Sequence, residues 1–356
     1  MIKKITVIGG GSTGLAATAW LTAKGFEVTL CDNERFSPIL DEIVKNEGIL
    51  LRGRAGYRGL FKPVKVVCDP AEAIPGAELI LICVPSGRHL EVAEFIATYV
   101  KSGQDILITP GNLGSFIFRD VFVRRGIRGV RISELEGNIC PCRITGPAEV
   151  TVGLPTKRKR IACLQGGQTE TVIERLEGVF RFEANRNVFE CALLSDNLVL
   201  HIGACLLSTT GIEQMGEKFA TFRHALTPPS ICLAAAVQQE RKALITKLGF
   251  EERDSACEFL KELADWENHP EFSVFRTFDE PDRARHRYTN EDSRVCAAFA
   301  LSLASRLGVD MPVLNAIIKL AGTLNGVDYM KTGRTLENLG FTGDMSVEEI
   351  IAEISR

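Results

Sequence analysis

Three glycines spaced as Gly9, Gly11 and Gly14 follow directly on the apolar, β-branched run Ile5–Ile8 and lead into an Ala-rich amphipathic stretch from Leu15 to Ala23. Strand, tight turn and helix in that order allow few folds. In a GxGxxG turn the first glycine permits the turn and the second lets the backbone approach a pyrophosphate. The third lets helix and strand pack closely, and the helix N-terminus turns unpaired N–H groups toward the phosphates. Ser12 and Thr13 stand at that N-terminus. Gly25 caps the helix C-terminally, Glu27–Cys31 reads as a second strand, and Asp32 ends it 23 residues after Gly9. An acid there can accept both ribose hydroxyls and repels a 2′-phosphate, so the expected ligand is NAD(H), with Arg35 leaving NADP(H) open.

The chain has 356 residues, 45% hydrophobic and 24% charged, with formal net charge −3. Two domains are expected, each with a substantial core. The balanced charge offers no nucleic-acid footprint, and the basic cluster Lys157–Arg160 reads as a solvated turn. No run reads as a membrane span and no signal peptide opens the chain, so a cytoplasmic protein is expected. The eleven cysteines are scattered through apolar segments and read as buried small hydrophobes. Cys140-x-Cys142 lacks the spacing and the second half of a zinc site, and no metal is expected.

Val64–Val67, Glu78–Val84 and Asp105–Thr109 read as further strands, with a helix starting at Asp69–Pro70. The turns at Val84–Pro85 and Pro110–Gly111–Asn112 close strands at the edge where open parallel sheets hold ligands, so both are expected beside the cofactor. Gly129–Glu134 and Ala148–Gly153 are expected to extend the same sheet, with Arg160–Leu164 pairing there. Beyond about Asn185 strand signals stop and helical periodicity takes over, with segments near 188–210, 213–224, 228–248, 254–267, 293–307 and 312–322. The boundaries drawn are 1–185 for an α/β Rossmann dinucleotide-binding domain and 186–356 for an all-α domain.

Two segments of the helical part carry chemistry. Asn197 and His201 are four apart and share a helical face, with a hydrogen-bonded buried histidine as the plain alternative. Asp292 directly precedes an expected helix from Ser293, where a carboxylate can serve as a cap; it can also orient a histidine and stabilise its protonated form. Arg287 can grip a carboxylate with two prongs or form a surface ion pair.

Together these pieces resemble the NAD/NADP octopine/nopaline (opine) dehydrogenase family over nearly the whole chain. The matching motifs are the glycine turn, Thr109–Asn112, Glu134 with Cys142–Arg143, Asn197 to His201 continuing to Gly211–Ile212–Glu213, Arg287–Tyr288 to Glu291–Asp292, and Arg334–Gly340. The resemblance implies a Rossmann domain followed by a helical domain like that of 6-phosphogluconate dehydrogenase. It also implies NAD(P)H-dependent condensation of an α-keto acid with the amino group of an amino acid, through an imine that is then reduced. His201 and Asp292 would handle protons, Arg287 would hold the keto acid, and Asn197, Glu134 and Cys142 would contact substrate. A homodimer is compatible with it. The chain departs from the family pattern in having Ile202–Gly203 after the histidine and Ser293–Arg294 after Glu-Asp, where the family commonly has proline. The rival readings are a 2-keto acid or ketopantoate-type carbonyl reductase, disfavoured by the lack of lysine between 186 and 215, and a non-catalytic NAD(P)-binding regulator.

Overall fold

The strands are short, and their side chains sort by parity. In the computed structural model, which describes residues 2–155, 158–252, 255–278, 280–341 and 343–355, Leu79 and Leu81 enter one apolar core while Ile80 and Ile82 enter another. Val7 and Leu107 join the first core; Ile8, Ile106 and Ile108 join the second. Successive side chains of a strand point to opposite faces, so a strand that is apolar throughout needs cover on both.

Twelve strands are present among the described residues: β1 (Lys4–Ile8), β2 (Glu27–Cys31), β3 (Ile49–Gly53), β4 (Gly59–Phe61), β5 (Lys65–Val67), β6 (Leu79–Ile82), β7 (Asp105–Ile108), β8 (Arg131–Leu135), β9 (Cys142–Gly146), β10 (Glu149–Val152), β11 (Lys159–Cys163) and β12 (Phe182–Ala184). The main sheet has eight strands in the order β12-β11-β8-β7-β6-β1-β2-β5. From β5 to β8 every pair is parallel, and β11 is antiparallel to β8. Strand order reverses at β1, which lies between β2 and β6, so the ends of β1 and β6 border a topological switch point where such sheets bind ligands.

One expected sheet strand sits elsewhere. The Ala148–Gly153 stretch supplies β10 of a separate four-stranded sheet, β4-β3-β10-β9, parallel to β3 and antiparallel to β9. This sheet packs on the helix Ser12–Ala23. Trp20 anchors that packing, stacked on Phe180 at 4.9 Å and donating its indole N–H to the carbonyl of Ala55 at 2.9 Å. Alternation alone says that one face of β10 is buried, not against which sheet.

The chain divides into a unit of Met1–Cys191 with Ile354–Arg356 and a unit of Ala192–Glu353, six residues after the expected boundary. The second unit is helical, with only an isolated bridge between Ala220 and Glu280 among its described residues. Its longest helix, Pro228–Lys247, opens with a capping box between Thr227 and Ser230. The expected 188–210 helix is broken into Val188–Leu194, Asn197–Leu200, Ile202–Leu207 and the start of Thr209–Met215, and the expected 213–224 helix is likewise interrupted. The Val188–Leu207 stretch is long and apolar, with mean hydropathy 1.4, but 78% of its apolar window is buried inside the protein, as in a core segment. Lys157 and Asp254, in the expected basic cluster and at an expected helix start, lie outside the described residues.

Candidate active site

At the dinucleotide end, the glycines differ in what surrounds them. Gly9 has φ +122°, and a Cβ there would lie 2.4 Å from the Cys83 carbonyl oxygen; one on Gly14 would lie 1.7 Å from that of Gly9. A Cβ on Gly11 would meet nothing within 4 Å. The first and third glycines therefore serve protein packing, and the second faces open space. The helix Ser12–Ala23 has no side-chain cap at its N-terminus. Its leading residues are tethered through their side chains: the Ser12 hydroxyl accepts from the Ile144 N–H at 3.1 Å and that of Thr13 from Asn138 Nδ2 at 2.9 Å. Open space at Gly11 beside an uncapped helix N-terminus fits a pyrophosphate. When bound, a nicotinamide dinucleotide supplies the hydride chemistry.

The turns after β6 and β7 are joined. Asn112, with φ +48°, donates from Nδ2 to the Ser86 hydroxyl at 3.0 Å, next to Val84 and Pro85. Glu134 holds the Pro110–Gly111–Asn112 turn from beneath. Its carboxylate accepts from the N–H groups of Leu113 and Ser115, both at 2.8 Å, and from the Ser115 hydroxyl, and a Cβ on Gly111 would lie 2.5 Å from its side chain. Glu134 is fully buried, so its expected contact with substrate is replaced by an anchoring role at the start of the helix Gly114–Arg124. Cys142 is also buried, against Cys140, whose thiol is pushed up by its hydrogen bond to Cys142 and by burial. A thiol in that setting belongs to the core rather than to a substrate surface.

Asp32 is buried as well. Its Oδ2 accepts from the Gly10 N–H at 2.7 Å and its Oδ1 from the Asn33 N–H at 2.8 Å. Arg88, a residue the motif reading passed over, reaches it from just past β6 with Nη2 at 2.8 Å from Oδ1 and Nη1 at 3.3 Å from Oδ2.

In the helical unit, His201 sits at a kink between Asn197–Leu200 and Ile202–Leu207. Half-buried Asn197 begins the short helix, and its carbonyl accepts the His201 N–H at 3.2 Å. The break before it is held by buried Arg241 of the Pro228–Lys247 helix, which donates to the Ser195 carbonyl at 3.2 Å and to Glu252 at 2.7 Å. An arginine inside a helix gives no sign in sequence of this use.

His201 Nδ1 lies 2.8 Å from Asp292 Oδ2, and both side chains are buried. Tyr288 stacks on the imidazole with ring centroids 3.9 Å apart and planes 22° apart. Asp292 is not a cap. The helix begins earlier, at Arg287 with His286 as its cap, and passes beyond Asp292 through a π turn at Ser293–Ala297 into Ala298–Leu307. Such single π turns are frequent at functional sites. Burial pushes the Asp292 carboxyl above its ordinary range, while the hydrogen bond and charge of His201 act against that shift. With Asp292 ionised, Nδ1–H donates, and Nε2 is the ring nitrogen not engaged by the carboxylate. Arg287 stands at the helix start, with its guanidinium 5.0 Å from the Tyr288 ring centroid and 3.1 Å from Glu280. Its side chain is 42% exposed. The pair and Arg287 thus converge on Tyr288.

The family model for the NAD/NADP octopine/nopaline dehydrogenase alpha-helical domain matches residues 184–325, and that of ketopantoate reductase PanE/ApbA matches residues 5–112. An opine dehydrogenase of Arthrobacter sp. (strain 1C) is 29% identical over 96% of both chains. The fold is also that of an octopine dehydrogenase solved with NADH and L-arginine (TM-score 0.71, 19% identity, 98% of both chains). A yersinopine dehydrogenase with NADP+ bound is similar too (TM-score 0.63, 14% identity, covering 99% of this chain and 98% of the other). A Rossmann-type unit with its glycine turn, a helical unit with a buried His–Asp pair, and matches that run the length of the chain agree: residues 184–325 match the octopine/nopaline dehydrogenase helical domain, and the chain is similar along its length to opine dehydrogenases, which are NAD(P)-dependent oxidoreductases.

Proposed function

We propose that this chain is an opine-type dehydrogenase acting on the CH–NH group, which condenses an α-keto acid with the amino group of an amino acid and reduces the imine with NADH or NADPH in the cytoplasm. The observation that carries this reading is the buried His201–Asp292 hydrogen bond in the domain matched by the octopine/nopaline dehydrogenase model.

The residues divide the work as follows. Asp292 fixes the imidazole so that Nε2 faces the reaction, and its charge stabilises the protonated ring. His201 then donates a proton as water leaves the carbinolamine and takes one back in the oxidative direction, a service worth about 10²–10⁴ in rate. Tyr288 keeps the ring plane in place and excludes water from one face. Arg287 offers its guanidinium to the keto acid's carboxylate, in exchange for or beside Glu280. Asn197 is the remaining polar group of the His201 segment, a hydrogen-bonding partner for substrate. The glycine turn, Val84–Pro85 and Pro110–Asn112 border the dinucleotide.

The match of residues 5–112 to ketopantoate reductase favours a second reading, direct reduction of a 2-keto acid. The test follows NADH and NADPH oxidation with pyruvate and with 2-oxoglutarate, each alone and then with pooled amino acids. Oxidation that requires both partners is the expected result. Equal oxidation by a keto acid alone selects the carbonyl reductase, and dinucleotide binding without oxidation on any pair overturns both enzymatic readings for these substrates.

A further inference from the structure

An ionised carboxylate offers about four lone-pair positions, and in Asp32 all four are taken. Oδ1 accepts from the Asn33 N–H and from Arg88 Nη2; Oδ2 accepts from the Gly10 N–H and from Arg88 Nη1. The acid at the end of β2 discriminates between the dinucleotides only when it can take the ribose hydroxyls and turn its charge on a 2′-phosphate. Here it meets the ribose position through a guanidinium.

That guanidinium is held on several sides. Arg88 also donates to Glu91 at 3.0 Å and lies 4.3 Å from the ring centroid of Phe36, with only 16% of its side chain exposed. Arg35 completes the group, paired with Glu91 at 2.6 Å and lying 4.8 Å from the same ring, with 54% of its side chain exposed. Two carboxylates and two guanidiniums sum to zero, where an unpaired Asp32 would carry −1. Moving Arg88 aside would break two charge-assisted hydrogen bonds in a buried place.

We propose that Arg88 neutralises Asp32 and, with Arg35, makes the adenosine end of the cofactor site accept the 2′-phosphate of NADP(H) as well as the 2′-hydroxyl of NAD(H). The inference rests on the reading of this unit as a nicotinamide-dinucleotide site and names the residues that set its selectivity. Arg88 is held in place by Asp32, Glu91 and the Phe36 ring, and the more exposed Arg35 can turn toward the phosphate.

The test is a titration of NADH and NADPH by their fluorescence on the full-length protein, with no substrate present, read as the ratio of the two dissociation constants. The parent protein is expected to bind NADPH within about tenfold of NADH. Arg88→Leu uncovers Asp32 and is expected to shift the ratio against NADPH by at least tenfold. Asp32→Asn, which leaves no uncovered carboxylate and so serves if the first variant does not fold, is expected to shift it toward NADPH by at least threefold. A parent that binds NADH but takes NADPH more than tenfold more weakly, or a ratio that the folded variants leave unmoved, overturns the proposal. Failure of both nucleotides to bind overturns the dinucleotide reading beneath it.

Discussion

Replacing Asp292 by Asn removes one charge and almost no volume. The Oδ2 to Nδ1 distance of 2.8 Å puts the centres of charge about 4 Å apart, and unit charges at that separation in an effective dielectric of about 20 interact by about 4 kcal/mol. Each 1.36 kcal/mol is tenfold in rate, so losing that stabilisation of the protonated ring corresponds to roughly 10³ in kcat, inside the range general acid–base catalysis provides. Stability moves the other way. Burial raises the Asp292 carboxyl above its unfolded value, so the ionised group is a net cost in the folded protein at neutral pH. The sign follows: a raised pKa favours folding below the unfolded value, and this benefit is lost as pH rises through the folded one. The Asn variant escapes the cost of a buried charge, and its amide oxygen can still accept from Nδ1–H of a neutral His201. Asp292→Asn is therefore expected to lose about 10²–10³ in kcat with a melting temperature at neutral pH equal to or above the parent's. The stability difference should shrink as pH falls and the parent's carboxyl protonates. Steady-state kinetics and thermal unfolding between about pH 4 and 8 measure both quantities. A variant that keeps kcat and melts several degrees lower would make Asp292 a structural residue and refute the reasoning.

Two glycines of one motif should separate packing from ligand binding. Gly14→Ala drives a Cβ to 1.7 Å from a backbone oxygen and is expected to melt several degrees lower, whereas Gly11→Ala meets nothing and should keep its melting temperature within about 1 °C while weakening NADH binding at least tenfold. Thermal unfolding and fluorescence titration of both variants check this contrast. Glu134→Gln is expected to destabilise by about 1–3 kcal/mol, a fall of several degrees, because its carboxylate holds two N–H groups and a hydroxyl in the core. Its amino-acid KM should stay within about twofold, and a tenfold rise at unchanged stability would restore it to the substrate site.

The legible parts of this chain are those where one short segment carries its whole explanation. The first strand, its glycine turn and the helix behind it are local in sequence, and their physical roles follow from the spacing of three glycines. The apolar strands β6 and β7 were readable for the same reason. What sequence leaves open is which distant group answers a residue. Asp32 looks like a free acid until Arg88 arrives from another crossover, 56 residues on. Glu134 looks like a polar residue available to substrate until the turn at Gly111 closes over it. The break that frees the His201 segment depends on Arg241, 46 residues beyond the carbonyl it satisfies. Asp292 is the sharpest case, since a carboxylate just before an apolar helix reads equally as a cap or as the partner of a histidine. The helix in fact starts five residues earlier and survives by widening into a π turn, where the Arg294 carbonyl accepts the Arg334 N–H at 2.9 Å. Gly333 permits that approach, for a Cβ there would lie 2.6 Å from the same carbonyl oxygen. The Arg334–Gly340 motif, which carries no evident chemistry in the sequence, thus supports the turn that follows Asp292. The contact itself is made through the backbone, by a glycine and an N–H, and the Asn338 side chain steadies it by donating from Nδ2 to the Gly333 carbonyl at 2.8 Å, a partnership that pattern reading does not single out.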